Sequence, residues 1–169
     1  MPDATGLELT AQELRDHHSE SVLDTEFHRG RATLEIDPKH VKAVLTHLQG
    51  KGYTFLASLH GVDYYPHEPR LGVLYELLDM KRVDRISVKA RVSTEAAEID
   101  SVVELFPGAD FPEREVYDMF GVRFDGHPDL RRILLPEDYE GHPQRRDFPM
   151  GGEPVLFTYN EAHSYGKDV

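Results

Sequence analysis

The chain has 169 residues, room for one domain of about 100–150 residues and an appended segment. A formal net charge of -12 opposes binding to nucleic acid, whose affinity for proteins comes from Lys and Arg displacing counterions. There is no cysteine, which excludes disulfides, thiolate zinc sites, cysteine nucleophiles and Cys-ligated iron–sulfur clusters together.

Residues 1–16 show no basic region followed by an apolar stretch. No apolar run approaches the roughly 20 residues of a membrane-spanning helix. Both point to a chain that stays in the cytoplasm or reaches a membrane only through partners. The first local signal is Thr10-Ala-Gln-Glu13, which reads as a capping box with Leu9 and Leu14 as its staple, starting a short helix that ends near His17-His18. Residues 22–36 read as a hairpin turning at Arg29-Gly30, with Ala32, Leu34 and Ile36 alternating inward. Asp37 caps a helix with Pro38 in its first position and Val41, Val44, Leu45 and Leu48 on one stripe, stopped by Gly50 and Gly52.

Three strands follow, over 53–64, 71–78 and 85–92, the last alternating through Ile86, Val88, Ala90 and Val92. The spacing predicts further helices over 97–106, with Ile99, Val102, Val103 and Phe106 on one side, and over 112–120, stopped by Gly121. Half-buried alternating strands with few helices define an α+β fold: a two-layer domain, mainly antiparallel sheet with helices on one face, over 1–121.

From residue 122 the character changes. Pro128, Pro136, Pro143, Pro149 and Pro154 forbid a long helix or central strand, so 122–169 reads as an extended, proline-rich C-terminal arm. Its apolar residues, among them Phe124, Leu130, Ile133, Leu134, Leu135, Tyr139, Phe148, Leu156 and Phe157, need something to pack on. The arm either lies over its own domain or docks into another protein, and its arginine-rich composition favours docking, since Arg and aromatics are enriched at interface centres.

The chemistry-bearing residues also favour structure over catalysis. No HExxH grouping organises the histidines, and His40 and His47 lie two helical turns apart, too far to share an ion. In Glu113-Arg114-Glu115-Val116-Tyr117-Asp118 the spacing lets Arg114 pair with Asp118, puts Glu115 and Asp118 on one face, and places Glu113 in the first turn, where negative charge suits the dipole. Gly126-His127-Pro128 leads to Arg131-Arg132, and Gly141-His142-Pro143 leads to Arg145-Arg146. These two turns each present paired arginines, either to local carboxylates such as Asp125, Asp129 and Asp147 or to a partner. No phosphate loop and no nucleophile elbow is present. A stand-alone metal-dependent hydrolase using Glu113, Glu115, Asp118 and His127 is the competing reading from a different class.

The run Glu113-Arg114-Glu115-Val116-Tyr117-Asp118-Met119-Phe120-Gly121, then His127-Pro128-Asp129-Leu130-Arg131-Arg132-Ile133-Leu134, closely resembles the C subunit of respiratory complex I, the NADH:quinone oxidoreductase (the 30-kilodalton subunit family). The similarity continues through Glu137-Asp138-Tyr139-Glu140-Gly141-His142-Pro143 and Arg145-Arg146-Asp147-Phe148-Pro149, with Gln144 a departure where the family often has an apolar residue. The resemblance implies a cofactor-free structural subunit in the hydrophilic arm, on the cytoplasmic side of the bacterial inner membrane. It implies docking on the D subunit, which helps form the quinone site beside the terminal iron–sulfur cluster of the B subunit, with NADH and FMN also held in partner subunits. Glu113, Arg114, Glu115, Asp118, His127, Arg131, Arg132, Arg145, Arg146 and Asp147 would be interface or architectural residues, none of them catalytic, in a complex coupling electron transfer to ion translocation. The equivalent subunit of a membrane-bound nickel–iron hydrogenase or another quinone dehydrogenase shares this pattern.

Overall fold

The structure is a computed structural model and describes residues 4–149. Its centre is a five-stranded sheet. A hairpin, β1 (Val22–His28) and β2 (Arg31–Ile36), turns through Arg29 and Gly30, whose positive φ values of 50° and 74° suit the type I′ turn that matches strand twist. A meander, β3 (Phe55–Asp63), β4 (Leu71–Asp79) and β5 (Asp84–Val92), supplies the other strands. The order is β1-β2-β5-β4-β3, antiparallel throughout except where β2 and β5 run parallel, with Leu34 opposite Val88.

One face of the sheet is apolar. Ala32, Leu34 and Ile36 of β2, Ile86, Val88 and Ala90 of β5, and Val73, Tyr75 and Leu77 of β4 lie in register and are buried, the period-2 pattern of a sheet covered on one side. Helices α1 (Ala4–His17), α2 (Val41–Gly50) and α3 (Asp110–Phe120) supply the second layer. Helix α2 buries Val41, Val44, Leu45 and Leu48, the stripe its sequence spacing predicts. The side chain of Asp37 accepts a hydrogen bond from Lys39 N–H, but it caps a 3-10 turn over Pro38–His40 that leads into the helix.

Two expectations fail. The capping box at Thr10 is not a helix start: α1 begins six residues earlier, the Thr10 hydroxyl donates to the Gly6 carbonyl at 2.9 Å within the helix, and Leu9 is exposed. The stripe Leu7, Ala11, Leu14 packs on the hairpin, and burial of that stripe outweighs a local capping signal. The helix over 97–106 is absent. Glu98–Asp100 is a short strand, β6, paired in parallel with β7 (Arg123–Asp125), and turns follow. Ile99, Val102 and Phe106 are buried as their spacing suggests, but the Val102 N–H is taken by a carboxylate from α3, and only a single turn closes, with the Leu105 and Phe106 N–H groups donating to the Val102 carbonyl.

Helix α3 packs across β3, where the Phe120 ring lies so close over Gly61 that any side chain there would overlap it. Strand β7 and the chain to Pro149 run back over α3. The remaining part of the arm, with Pro154, Leu156 and Phe157, lies outside the described residues.

Candidate functional site

Helix α3 and the chain wrapped on it bring together most of the residues singled out by sequence. A helix ends with four carbonyls that lack intrahelical partners and with partial negative charge. Helix α3 has no basic residue in its last turn. Gly121, at φ 74°, donates its N–H to the Tyr117 carbonyl at 2.9 Å, the left-handed cap that glycine adopts without strain. The arm supplies the rest. Arg132 Nη1 (3.2 Å) and His142 Nδ1 (3.0 Å) donate to the Asp118 carbonyl. Gln144 N–H donates to Met119 O at 3.2 Å, and Arg145 Nε to Phe120 O at 2.6 Å. All four terminal carbonyls are thereby satisfied, three of them by the arm.

The Asp118 side chain makes the second set of bonds. It is fully buried, and its Oδ2 accepts from the N–H groups of Ile133, Leu134 and Leu135 at 2.8–3.0 Å while Oδ1 accepts from Arg132 at 2.6 Å. Burial would raise its pKa, yet the donors, led by the Leu135 N–H and Arg132, hold it below the usual carboxylate range. The predicted pairing of Arg114 with Asp118 does not form. Arg114 donates instead to the carbonyls of Arg131 and Arg132, both at 3.2 Å. Nor do Glu115 and Asp118 share an environment, since Glu115 is exposed.

At the other end of α3, Glu113 is buried and accepts from the Ser101 hydroxyl and the Val102 N–H, both at 2.7 Å. These bonds hold 101–106 in turns. Burial pushes this carboxyl's pKa up, against the opposing pull of the Val102 N–H and the Ser101 hydroxyl. The His127 side chain is enclosed. Its Nε2 lies 3.2 Å from the Asp110 carbonyl and its Nδ1 accepts from Asp129 N–H at 3.0 Å, which places the ring proton on Nε2.

A third anchor was not visible in the sequence. Asp63, at the end of β3, and Arg70, on the loop before β4, form a buried two-bond pair at 2.6–2.7 Å, and the other guanidinium edge binds both oxygens of Asp147 at 2.7 Å. Asp63 Oδ2 also accepts the Arg146 N–H at 2.7 Å. Arg70 holds Asp63 and Asp147 below the ordinary carboxylate range, and both raise Arg70 in turn. Asp63 and Arg70 carry no motif. Only sheet geometry brings them to the arm, so no spacing signal could have found them.

The paired arginines therefore divide. Arg132 and Arg145 serve the C-terminus of α3. Arg131 bonds the local Asp129 at 2.8 Å and stays exposed, as does the Arg146 side chain. Leu134, Phe111 and Tyr65, each at least half exposed, stand on the outside of the same region. Among the described residues no three His, Cys, Asp or Glu side chains converge as a metal-binding group. Glu113 and Asp118 are engaged with different segments and Glu115 faces solvent, so the four groups of the hydrolase reading do not form one site. Among the described residues no helix is long and apolar enough to cross a membrane.

In this α+β domain, α3 is clasped by the chain that follows it, and Glu113, Asp118 and His127 are engaged in holding segments together. Residues 34–154 match the family described as respiratory-chain NADH dehydrogenase, 30 Kd subunit, and the chain belongs to that family. It is 43% identical over 149 residues to the C subunit of the NADH-quinone oxidoreductase of Roseiflexus castenholzii, covering 86% of each chain. It is 42% identical to subunit 5 of the Thermus thermophilus enzyme over 137 residues, 76% of this chain and 66% of that one. A solved trypsin-resistant fragment of Nqo5 superposes with a TM-score of 0.63 at 34% identity, over 73% of this chain and 98% of the fragment. A chain of the archaeal membrane-bound sulfane sulfur reductase shares the fold, with a TM-score of 0.71 at 21% identity over 94% of this chain and 98% of that one.

Proposed function

We propose that this chain is the cofactor-free structural subunit of the hydrophilic arm of an NADH:quinone oxidoreductase, docking on the D subunit, which carries the quinone site, near the B subunit. In that role it braces partners that hold NADH, FMN, iron–sulfur clusters and quinone, so that redox centres stay in register while electron transfer is coupled to ion translocation. It sits peripherally on the cytoplasmic side of the membrane. The observation that carries the reading is the clasp on α3: with the helix end satisfied from within, Arg131, Arg146, Leu134 and Phe111 remain exposed, and Arg and aromatic side chains are enriched at interface centres. Arg132 and Arg145 are spent inside the chain, so the exposed Arg131 and Arg146 are the members of the two arginine pairs that can turn to a partner.

The test is affinity purification of the tagged chain from gently solubilised membranes of its host, with mass spectrometry of the co-purifying chains. Recovery of the B and D subunits with an NADH-oxidising flavoprotein is the expected result. Nickel–iron hydrogenase subunits would place the chain in that complex, and a chain recovered alone would overturn the reading. The double variant R131E/R146E should lower recovery of the partners while leaving the thermal unfolding of the purified chain unchanged.

A further inference from the structure

The sheet face turned away from the helices carries charges in transverse rows. Part of the face pairs internally: Glu35 meets Lys89 at 2.5 Å and Arg91 at 4.0 Å, while Glu76 accepts from the Ser87 hydroxyl at 2.6 Å and lines a hollow with Arg31 and Arg85 without an ion pair to either. The row nearest the β1–β2 and β4–β5 turns is different. His28 pairs with Arg31 across β1 and β2, Arg85 with Leu78 across β5 and β4, and Leu78 with Phe55 on β3. Arg31 and Arg85, each one residue before the parallel partners Ala32 and Ile86, come side by side. Like charges in neighbouring strand positions repel, and in a chain of net charge -12 carboxylates are plentiful. Yet among the described residues neither Arg31 nor Arg85 makes an ion pair or side-chain hydrogen bond, and the same holds for Arg29 in the adjoining turn.

Beside these cations lies apolar surface. Arg29, Arg31 and Arg85 line a hollow of about 350 Å³ together with Leu78 and Val83. Val83 is 79% exposed and Phe55 half exposed. Val83 also has a φ of 52°, a left-handed conformation that costs a β-branched residue free energy and that glycine or asparagine adopts easily. Within this chain that strained side chain stays largely exposed.

We infer that this end of the open sheet face is a second docking surface, taking an acidic, partly apolar segment of a neighbouring subunit. Carboxylates of that segment would lie between Arg31 and Arg85, with Arg29 at the rim, and an apolar side chain would fill the hollow against Leu78 and Val83. Arginine forks bind carboxylates bidentately, and the one carboxylate among the described residues that shares a hollow with them, Glu76, forms no ion pair with either arginine, so both forks stay available. The remote position keeps this surface separate from the α3 clasp. The inference rests on the reading that the chain works within a multisubunit complex.

The experiment is arginine-selective labelling with phenylglyoxal, followed by peptide mass spectrometry, on the purified full chain and on the complex purified from its host. Arg31 and Arg85 should label in the free chain and be protected in the complex. Equal labelling in both states overturns the inference. If Arg131 and Arg146 are nonetheless protected, the clasp reading survives that failure, whereas a chain that purifies without partners overturns both. Protection already present in the free chain would assign the surface to a second copy or to residues 150–169, against the inference. A photo-crosslinking residue at Val83 in the complex should capture a partner peptide rich in Asp or Glu. Capture of a peptide without acidic residues overturns the stated chemistry. The variant R31E/R85E should lose that crosslink while retaining the partners held by the clasp.

Discussion

At the scale of single residues, Asp118 is the point where helix and arm become one unit, because a single carboxylate oxygen gathers three consecutive backbone N–H groups. Replacing it by Asn keeps one acceptor but turns an amide toward Arg132, leaving a donor against a donor and a largely buried cation without its counter-ion. Breaking one side of a buried charged pair costs about 3–5 kcal/mol. Asp118→Asn should therefore lower stability by roughly 3 kcal/mol, with Asp118→Ala no milder, as read by urea denaturation of the purified chain. A loss under about 1 kcal/mol would mean that water replaces these contacts. Glu115, only three residues away, is exposed, and Glu115→Gln is a suitable control. The difference between these two acids was not legible in the sequence, where helical spacing placed them on one face. What separates them is the returning arm, which covers one and not the other.

At the scale of elements, α3 shows how a helix boundary is legible while its surroundings are not. Gly121 marked the stop, and the left-handed φ confirms the reason. A side chain at Gly121 would be strained by that φ and would also overlap the His142 ring and the Arg145 guanidinium. Gly121→Ala should therefore loosen the second arginine turn from the helix end. Tryptic cleavage after Arg145 or Arg146 should accelerate relative to cleavage elsewhere, and an unchanged digestion pattern would count against the clasp. The reading of 97–106 as a helix failed for the converse reason. Its apolar stripe was real, but Ser101 and Val102 give their hydrogens to Glu113, a partner a dozen positions away that periodicity within the segment cannot register. The capping box at Thr10 erred because a local motif competes with an apolar stripe extending on both sides of it. The strands were read well, since their alternation is dictated by a face that every strand shares.

At the scale of the whole molecule, titration ties the anchors together. Asp63, Asp118 and Asp147 are held below their ordinary range by Arg70, by Arg132 and by backbone donors. Their stabilising contribution is complete above the unfolded-state value, about 3.9, and is lost as pH falls toward the depressed folded-state values. Burial also lowers the pKa of His47 and His142, so protonation in the unfolded chain draws stability away below about pH 6.5. Glu113 acts with the opposite sign: its raised pKa means that the folded form takes up a proton first, and stability is gained as pH falls through that value. The urea midpoint should therefore decline modestly below about pH 6.5, be partly offset near the Glu113 titration, and fall steeply below about pH 4. A midpoint that climbs steadily with acidification would contradict these anchors.

The single parallel pairing in the sheet has a kinetic consequence. The β1–β2 hairpin and the β3–β4–β5 meander each close through neighbours in sequence, whereas β2 meets β5 only after α2, β3 and β4 have been threaded between them. Long-range closure is slow because chain entropy is lost before the contacts form. The seam between Leu34 and Val88 is then the step that sets the refolding rate, with the two halves pre-formed on either side. Truncating Leu34 or Val88 to Ala should slow refolding nearly in proportion to the stability lost, while Leu59→Ala on outer strand β3 should chiefly hasten unfolding. Stopped-flow refolding in which the seam variants keep the parent rate would place the barrier elsewhere. Until the seam closes, two half-sheets expose unpaired edges, and trading halves between two chains is the misassembly this topology invites at high concentration.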